Sequence, residues 1–225
     1  MKKLWIIGAS AMILLAAQAM AATITITQNN PHDSSGGGPF TIQLTSGTLT
    51  ANGTTVATAG ATFISFCVEY SEFISSGGTY TASINSDERA LSGGVDLGEP
   101  AVAGDPLSVG TAFLFATYSD GPFTSATATA FQQAIWYLED EFALNATQIA
   151  GNAFLQALIP QFGSIDDAKF TNASLGEYGV YVLNLTSGTT LRQDQLIRVP
   201  DGGLTVMLLG FGVGGLALLS RKFSK

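Results

Sequence analysis

Apolar residues recur at two different spacings along this chain, and the switch between them is the tightest constraint on its fold. Thr23-Ile24-Thr25-Ile26-Thr27 and Phe40-Thr41-Ile42-Gln43-Leu44 alternate polar and apolar side chains, the pattern of strands with one buried face. Asn29 to Pro39, between them, is a polar, Gly-rich loop. Asn52-Gly53, between Leu49 and Val56, reads as a hairpin turn because both residues tolerate positive φ. Around Cys67 the alternation puts Ile64, Phe66, Val68 and Tyr70 on one face. Phe63, Ser65, Cys67 and Glu69 fall on the other, less apolar face. The period then changes. Ser108 to Tyr118 carries Val109, Ala112, Phe113 and Ala116 at helical spacing and ends before Asp120-Gly121. Ser125 to Phe142 places Phe131, Ala134, Ile135, Leu138 and Phe142 on one stripe. A third helix is expected over Ala146 to Ile159, ended by Pro160. Alternation returns over Gly179 to Thr186, and Leu196 to Val199 makes a last strand. The expected fold is α+β, a β-strand-rich barrel or sandwich with a helical insert, and no internal repeat is found.

The two ends of the chain stand outside that pattern. Lys2 and Lys3 precede the apolar stretch Leu4 to Ala17, and Ala19-Met20-Ala21 offers a small-x-small cleavage site before Ala22. Residues 1–21 are therefore expected to be a secretory signal peptide. At the other end, residues 204–219 are sixteen apolar or small residues without a charge, followed by Arg221, Lys222 and Lys225. That length is marginal against the about 20 residues a bilayer core needs, and the basic tail, 220–225, would hold the terminus on the cytoplasmic side. The chain thus divides into a signal peptide, a body of residues 22–198, and a C-terminal segment, 199–225, with a transmembrane helix.

Val199-Pro200-Asp201-Gly202-Gly203, followed by an apolar run and a basic tail, resembles the PEP-CTERM class of sorting signals, in the variant that reads Val-Pro-Asp-Ser-Gly. The departure is Gly202 in place of Ser. The resemblance implies a partner, an exosortase, and a route: a temporary inner-membrane anchor, then the cell surface or extracellular matrix of a Gram-negative bacterium. It says nothing of what the body does.

Charge and sulfur narrow that question. Of nine basic residues only Arg89, Lys169, Arg192 and Arg198 lie in the body, while nearly all the seventeen acidic ones do. So acidic a surface argues against nucleic acid as a partner. One His, His32, and one Cys, Cys67, exclude a Cys/His zinc site in a single copy and a disulfide within the chain. The odd Cys of an exported chain is buried and inert, paired between molecules, or reactive.

Two short segments bear on that choice, Phe66-Cys67-Val68-Glu69 and Phe131-Gln132-Gln133-Ala134-Ile135-Trp136. Together they resemble the thioester domains of bacterial surface adhesins, with Cys67 at the position of the thioester Cys and Gln132 at that of its Gln. Phe131, Ala134, Ile135 and Trp136 match the apolar and Trp positions around that Gln. The resemblance implies a Cys67–Gln132 thioester, shielded from water by Phe66, Phe131 and Trp136, with Glu69 or Glu139 as candidates for proton transfer. An amine on a surface target would attack it, so the protein would attach covalently, once and without enzymatic turnover. No cofactor and no metal is expected. The alternative is a non-covalent structural component of biofilm or extracellular polysaccharide, with Cys67 as a buried hydrophobe and residues 131–141 as an ordinary amphipathic helix. Gln133 is a second candidate acyl donor; a helix turns it by about 100° from Gln132, so both cannot serve. A Cys-His hydrolase would need His32 in its Gly-rich loop, and a calcium site at Glu139-Asp140-Glu141 is disfavoured because consecutive helical carboxylates diverge.

Overall fold

Alternating Thr and Ile build the first strand, and the structure follows that logic outward. It is a computed structural model that describes residues 21–29, 37–87, 89–91 and 104–199. The expected signal peptide up to residue 20, His32, the sorting residues Pro200, Asp201, Gly202 and Gly203, and the apolar run after them lie outside the described residues. In chain order the strands are β1 (Ala22–Gln28), β2 (Phe40–Ser46), β3 (Thr48–Ala51), β4 (Thr54–Thr58), β5 (Thr62–Ser65), β6 (Thr79–Ser83), β7 (Arg89–Ala90) and β8 (Asp105–Pro106). Helices α1 (Val109–Tyr118), α2 (Ser125–Leu138), α3 (Ala146–Gly151), α4 (Ala153–Gln156), α5 (Ile159–Phe162) and α6 (Ile165–Lys169) follow. A 3-10 turn (Glu177–Gly179), β9 (Val180–Ser187) and β10 (Thr190–Arg198) complete the described chain. The α+β expectation of strand-rich ends around a helical insert holds. Among the described residues no helix is long and apolar enough to cross a membrane.

Six strands form one antiparallel sheet in the order β10-β9-β6-β1-β2-β5. It curls into a half-barrel whose two edges meet just beyond β5. There Val68 N donates to Asp194 O at 3.0 Å and Leu196 N donates to Phe66 O at 3.0 Å, with Cys67 opposite Gln195. β10 carries a bulge between Arg192 and Gln195, which adds local twist and bends the strand toward that meeting point. β3 and β4 pair through the Asn52-Gly53 turn, where φ is 46° and 76°, as the sequence predicts.

Two apolar clusters share the sheet's last strands. Ile24, Ile26, Ile42, Leu44, Leu183, Leu185 and Ile197 pack with Cys67 and Trp136 against the sheet. Phe66, Val68, Val180, Val182 and Leu196 pack instead with the helices. The end of β5 and the extended segment after it, residues 64–69, therefore lie between two buried layers. Ser65, Phe66, Cys67, Val68 and Glu69 are each at most 2 % exposed, so the less apolar face of this segment is buried as fully as the other. The same sandwiching leaves β9 buried without interruption from Val182 to Leu185, where simple alternation is expected.

The third expected helix is three short ones. Asn152 interrupts it: its side chain accepts from Phe154 N and Leu155 N at 3.0 and 3.2 Å and donates to Ala130 O at 2.8 Å. A short amide side chain that captures nearby N–H groups competes with the helical ladder. Pro160 does not end a helix but sits in the first turn of α5, where its missing N–H costs nothing. α1 and α6 approach so closely at Gly110 that a Cβ there would lie 2.9 Å from Ala168 O and 3.0 Å from Ala168 Cβ. Gly110→Ala should therefore lower the urea midpoint, overpacking of about 1–3 kcal/mol exceeding the roughly 1 kcal/mol of helix propensity gained. Gly151→Ala, with open space ahead of its Cβ, should raise it.

Candidate functional site

The way the sheet's edges meet leaves Cys67 with a specific need. Its neighbours Phe66 and Val68 make the cross-strand hydrogen bonds to β10, so the N–H and C=O of Cys67 point the other way. Both are buried and each requires a partner. Gln132 supplies both. Its Oε1 accepts from Cys67 N at 3.1 Å and its Nε2 donates to Cys67 O at 2.8 Å. A second main-chain donor, Gly38 N, reaches the same Oε1 at 3.0 Å. Gln132 and Cys67 are each 0 % exposed.

Helix α2 reaches this spot because of where it begins and which face it turns. Thr124 caps it, with a reciprocal box to Thr127, so the helix starts in one register. One turn after Gln132 on the same face, Trp136 donates its Nε1 to Glu69 O at 3.1 Å. Helix residues i and i+4 rise by about 6 Å and strand residues j and j+2 by about 6.7 Å. Gln132 and Trp136 therefore stitch α2 to Cys67 and Glu69 at matched intervals. Gln133 is half-buried and points off this face, so the carboxamide on Cys67 is that of Gln132.

The surroundings exclude water on several sides. The Phe66 ring meets Phe131 edge-on at 4.7 Å and Phe123 at 5.2 Å, and Phe131 meets Phe154 at 4.9 Å. Gly37 and Gly38 pass directly over the pair. A Cβ on Gly37 would lie 2.5 Å from Gln132 Cγ, and one on Gly38 would lie 2.7 Å from Phe66 Cδ1. Only glycine allows the backbone this close. On the sheet side, Gln195 Nε2 faces Cys67 Sγ at 3.5 Å. Neither the two glycines nor Gln195 is among the expected site residues. Their signals were present as Gly36-Gly37-Gly38-Pro39 and as a polar run, Gln193-Asp194-Gln195, inside a strand otherwise bounded by Leu191 and Leu196.

The two candidate acids each engage another partner. Glu69 turns its carboxylate to the β10 bulge, where Oε2 accepts from Asp194 N at 3.0 Å. Burial first, then the charge of Asp194, pushes its pKa far above the ordinary carboxylate range. Asp194 is raised as well, chiefly by burial, against the pull of hydrogen bonds from Leu91 N at 2.6 Å and Leu185 N at 2.9 Å. Glu139 sits at the end of α2 and caps α1, accepting from Ser108 Oγ at 2.7 Å and Ser108 N at 3.2 Å. Asp140 pairs with Lys169 and Glu141 accepts from Tyr70 N at 3.1 Å, so these three carboxylates face three different partners. Among the described residues no group of three His, Cys, Asp or Glu is placed to hold a metal ion. Of the expected sorting motif only Val199 is described; its N–H donates to Gly179 O at 2.8 Å.

The Gln132 carbonyl oxygen thus receives two main-chain N–H groups in a dry pocket. Donors so placed polarise a carbonyl and stabilise the oxyanion that forms when a nucleophile adds to its carbon. The chain's single thiol belongs to the residue on which that carboxamide rests. No protein-family model, curated protein or solved structure matches this chain.

Glu139 provides a pH handle on the frame. Burial raises its pKa from the ordinary 4.5 to about 7, against the hydrogen bonds from Thr111 and Ser108. Between those two values the folded chain keeps a proton that the unfolded chain has lost, so folding stability falls as pH rises. The loss from this group should be roughly 3 kcal/mol across the window and flat above it. Urea unfolding of Glu139→Gln between those pH values should show a shallower decline than the wild type; an unchanged slope would refute the assignment.

Proposed function

We propose that this is an exported surface or matrix protein whose body stores a thioester between Cys67 and Gln132 and attaches covalently through it. The observation that carries this reading is the Gln132 carboxamide, seated on the main chain of Cys67 with two N–H donors on its oxygen. In the forming step the Cys67 sulfur adds to Gln132 Cδ, the Sγ–Cδ bond forms and the Cδ–Nε2 bond breaks. The thiol proton leaves with the nitrogen as ammonia. A thioester lacks the resonance protection of an amide, so an amine on a surface target then takes the acyl group and releases the thiol. The half-barrel with its helical insert is, in this reading, the frame of an adhesin-type thioester domain. Residues 199–203, with the apolar run and basic tail that follow, act as a PEP-CTERM-like signal for an exosortase, which delivers the body to the cell surface.

A second reading has its own support. The carboxamide's hydrogen bonds to Cys67 satisfy main-chain groups that would otherwise be orphaned, which is sufficient reason for a Gln there in a purely non-covalent matrix component. Intact mass separates the two. Freshly purified wild-type protein should be one ammonia lighter than its sequence, and methylamine should add at Gln132 while freeing Cys67. Cys67→Ala and Gln132→Ala should each abolish both signals. Gly37→Ala should do so with both reactive residues in place, because its Cβ displaces the carboxamide. A wild-type protein at full sequence mass, with an unmodified thiol, would leave the non-covalent reading standing.

A further inference from the structure

A second glutamine faces the sulfur from the side opposite α2. Gln195 lies directly across from Cys67 where the sheet's edges meet. The main-chain bonds there run between the flanking residues, and side chains of such a pair stand close on one face. Its side chain is 0 % exposed. Oε1 accepts from Ser65 Oγ at 3.0 Å. Nε2 lies 3.4 Å from Gln193 O, a carbonyl that can only accept, and this settles which way the amide points. The nitrogen is thereby left facing Cys67 Sγ at 3.5 Å.

We infer that Gln195 is the positioning residue of the Cys67–Gln132 site, holding the sulfur in place and favouring its thiolate by donating an N–H to it. The inference rests on the thioester reading. A donor to sulfur stabilises the charged form, and the thiolate is the attacking species. Such help is needed here, because a fully buried sulfur in the apolar cluster that includes Ile24, Ile42, Leu183 and Trp136 gains nothing from solvent. The acidic groups on the two segments that meet at the sulfur are Glu69 and Asp194, and β10 also carries Arg192 and Arg198. Burial holds the two acids toward their neutral forms, so they oppose a neighbouring negative charge little at neutral pH. Glu72, in the loop that follows, acts on both of them; α2 carries Tyr137, whose phenol is held toward its neutral form by burial, and ends at Glu139, which is engaged by Ser108. Bulge and polar run together then have one purpose: Gln193 and Asp194 bend β10 so that Gln195 is delivered to the sulfur already oriented.

The test uses the full chain made as unfolded, insoluble protein, whose Gln132 still carries its amide. It is dissolved in urea and refolded over a series of pH values, with the loss of ammonia followed by intact mass. Gln195→Met keeps the volume but has no donor. It should lose ammonia about ten-fold more slowly than the wild type, the worth of one charge-assisted hydrogen bond, with its rate–pH profile displaced to higher pH. Gln195→Glu should be slower still, and Ser65→Ala should fall between wild type and Gln195→Met. A purely structural Gln195 would move the urea midpoint but leave the profile in place, and that result overturns the inference. So does methylamine incorporation at Gln195, which would make it the acyl group. If Gln195→Met fails to refold by circular dichroism, Ser65→Ala and Gln195→Glu are read alone, and wild-type profiles in both overturn it. If the wild type itself keeps its ammonia, the thioester reading fails and the thiol persists in every variant. As the chain's single thiol, it then titrates by its ultraviolet thiolate absorbance. A higher thiol pKa in Gln195→Met supports the positioning role, and an equal one refutes it.

Discussion

Two main-chain groups of one residue, the N–H and C=O of Cys67, face away from the sheet at the point where its edges meet. Buried groups of this kind need partners, and a Gln carboxamide offers one acceptor and one donor at the spacing of a strand neighbour. Gln132 therefore acts as a single-residue strand laid beside Cys67. That contact sets the rotation and height of α2, which brings Trp136 onto Glu69 and Phe131 onto Phe66. It also fixes the strap at Gly37 and Gly38, which lies on the carboxamide with no room for a side chain. Helical layer, half-barrel and strap thus share one polar joint in an apolar setting.

The dryness of that joint governs its chemistry. Hydrogen bonds and dipoles act more strongly where water is excluded, so the two donors on Gln132 Oε1 polarise its carbonyl more than they would at a surface. An acidic protein has to keep such a place free of negative charge. Here the nearby acids are buried, raised in pKa and tied to main-chain N–H groups: Glu69 to Asp194, Asp194 to Leu91 and Leu185, Glu139 to Ser108. They serve as neutral or hydrogen-bonded struts. The excess negative charge is left to groups such as Asp87, Asp120, Asp166 and Asp167, on the exposed surface.

Much of the frame was legible because its signals are local. Period-two alternation marks β1 and β2, the Asn52-Gly53 turn needs two positive φ values, and the stripe from Phe131 to Leu138 marks α2. Cys67 and Gln132 were legible as a pair only through a motif resemblance. What failed did so for tertiary reasons. Ser65, Cys67 and Glu69 read as a half-polar face because the sequence cannot show that helices cover one side of a strand and a curled sheet the other. That Glu139, beyond Gln132 in the sequence, caps α1 through Ser108 could not be read from its position along the helix. Asn152 broke a helix that periodicity alone would have continued.

By itself the sequence determined the strand-and-helix order, the one thiol available, and the helix face that carries Gln132, since each depends on side chains close in the chain or on residue type alone. Only the tertiary structure decided that Gln132 and not Gln133 meets Cys67, that Gly37 and Gly38 close over them, and that Gln195 faces the sulfur. Those choices join residues 65 to 130 positions apart. They follow from where a curled sheet brings its two edges together, and no local pattern encodes that closure.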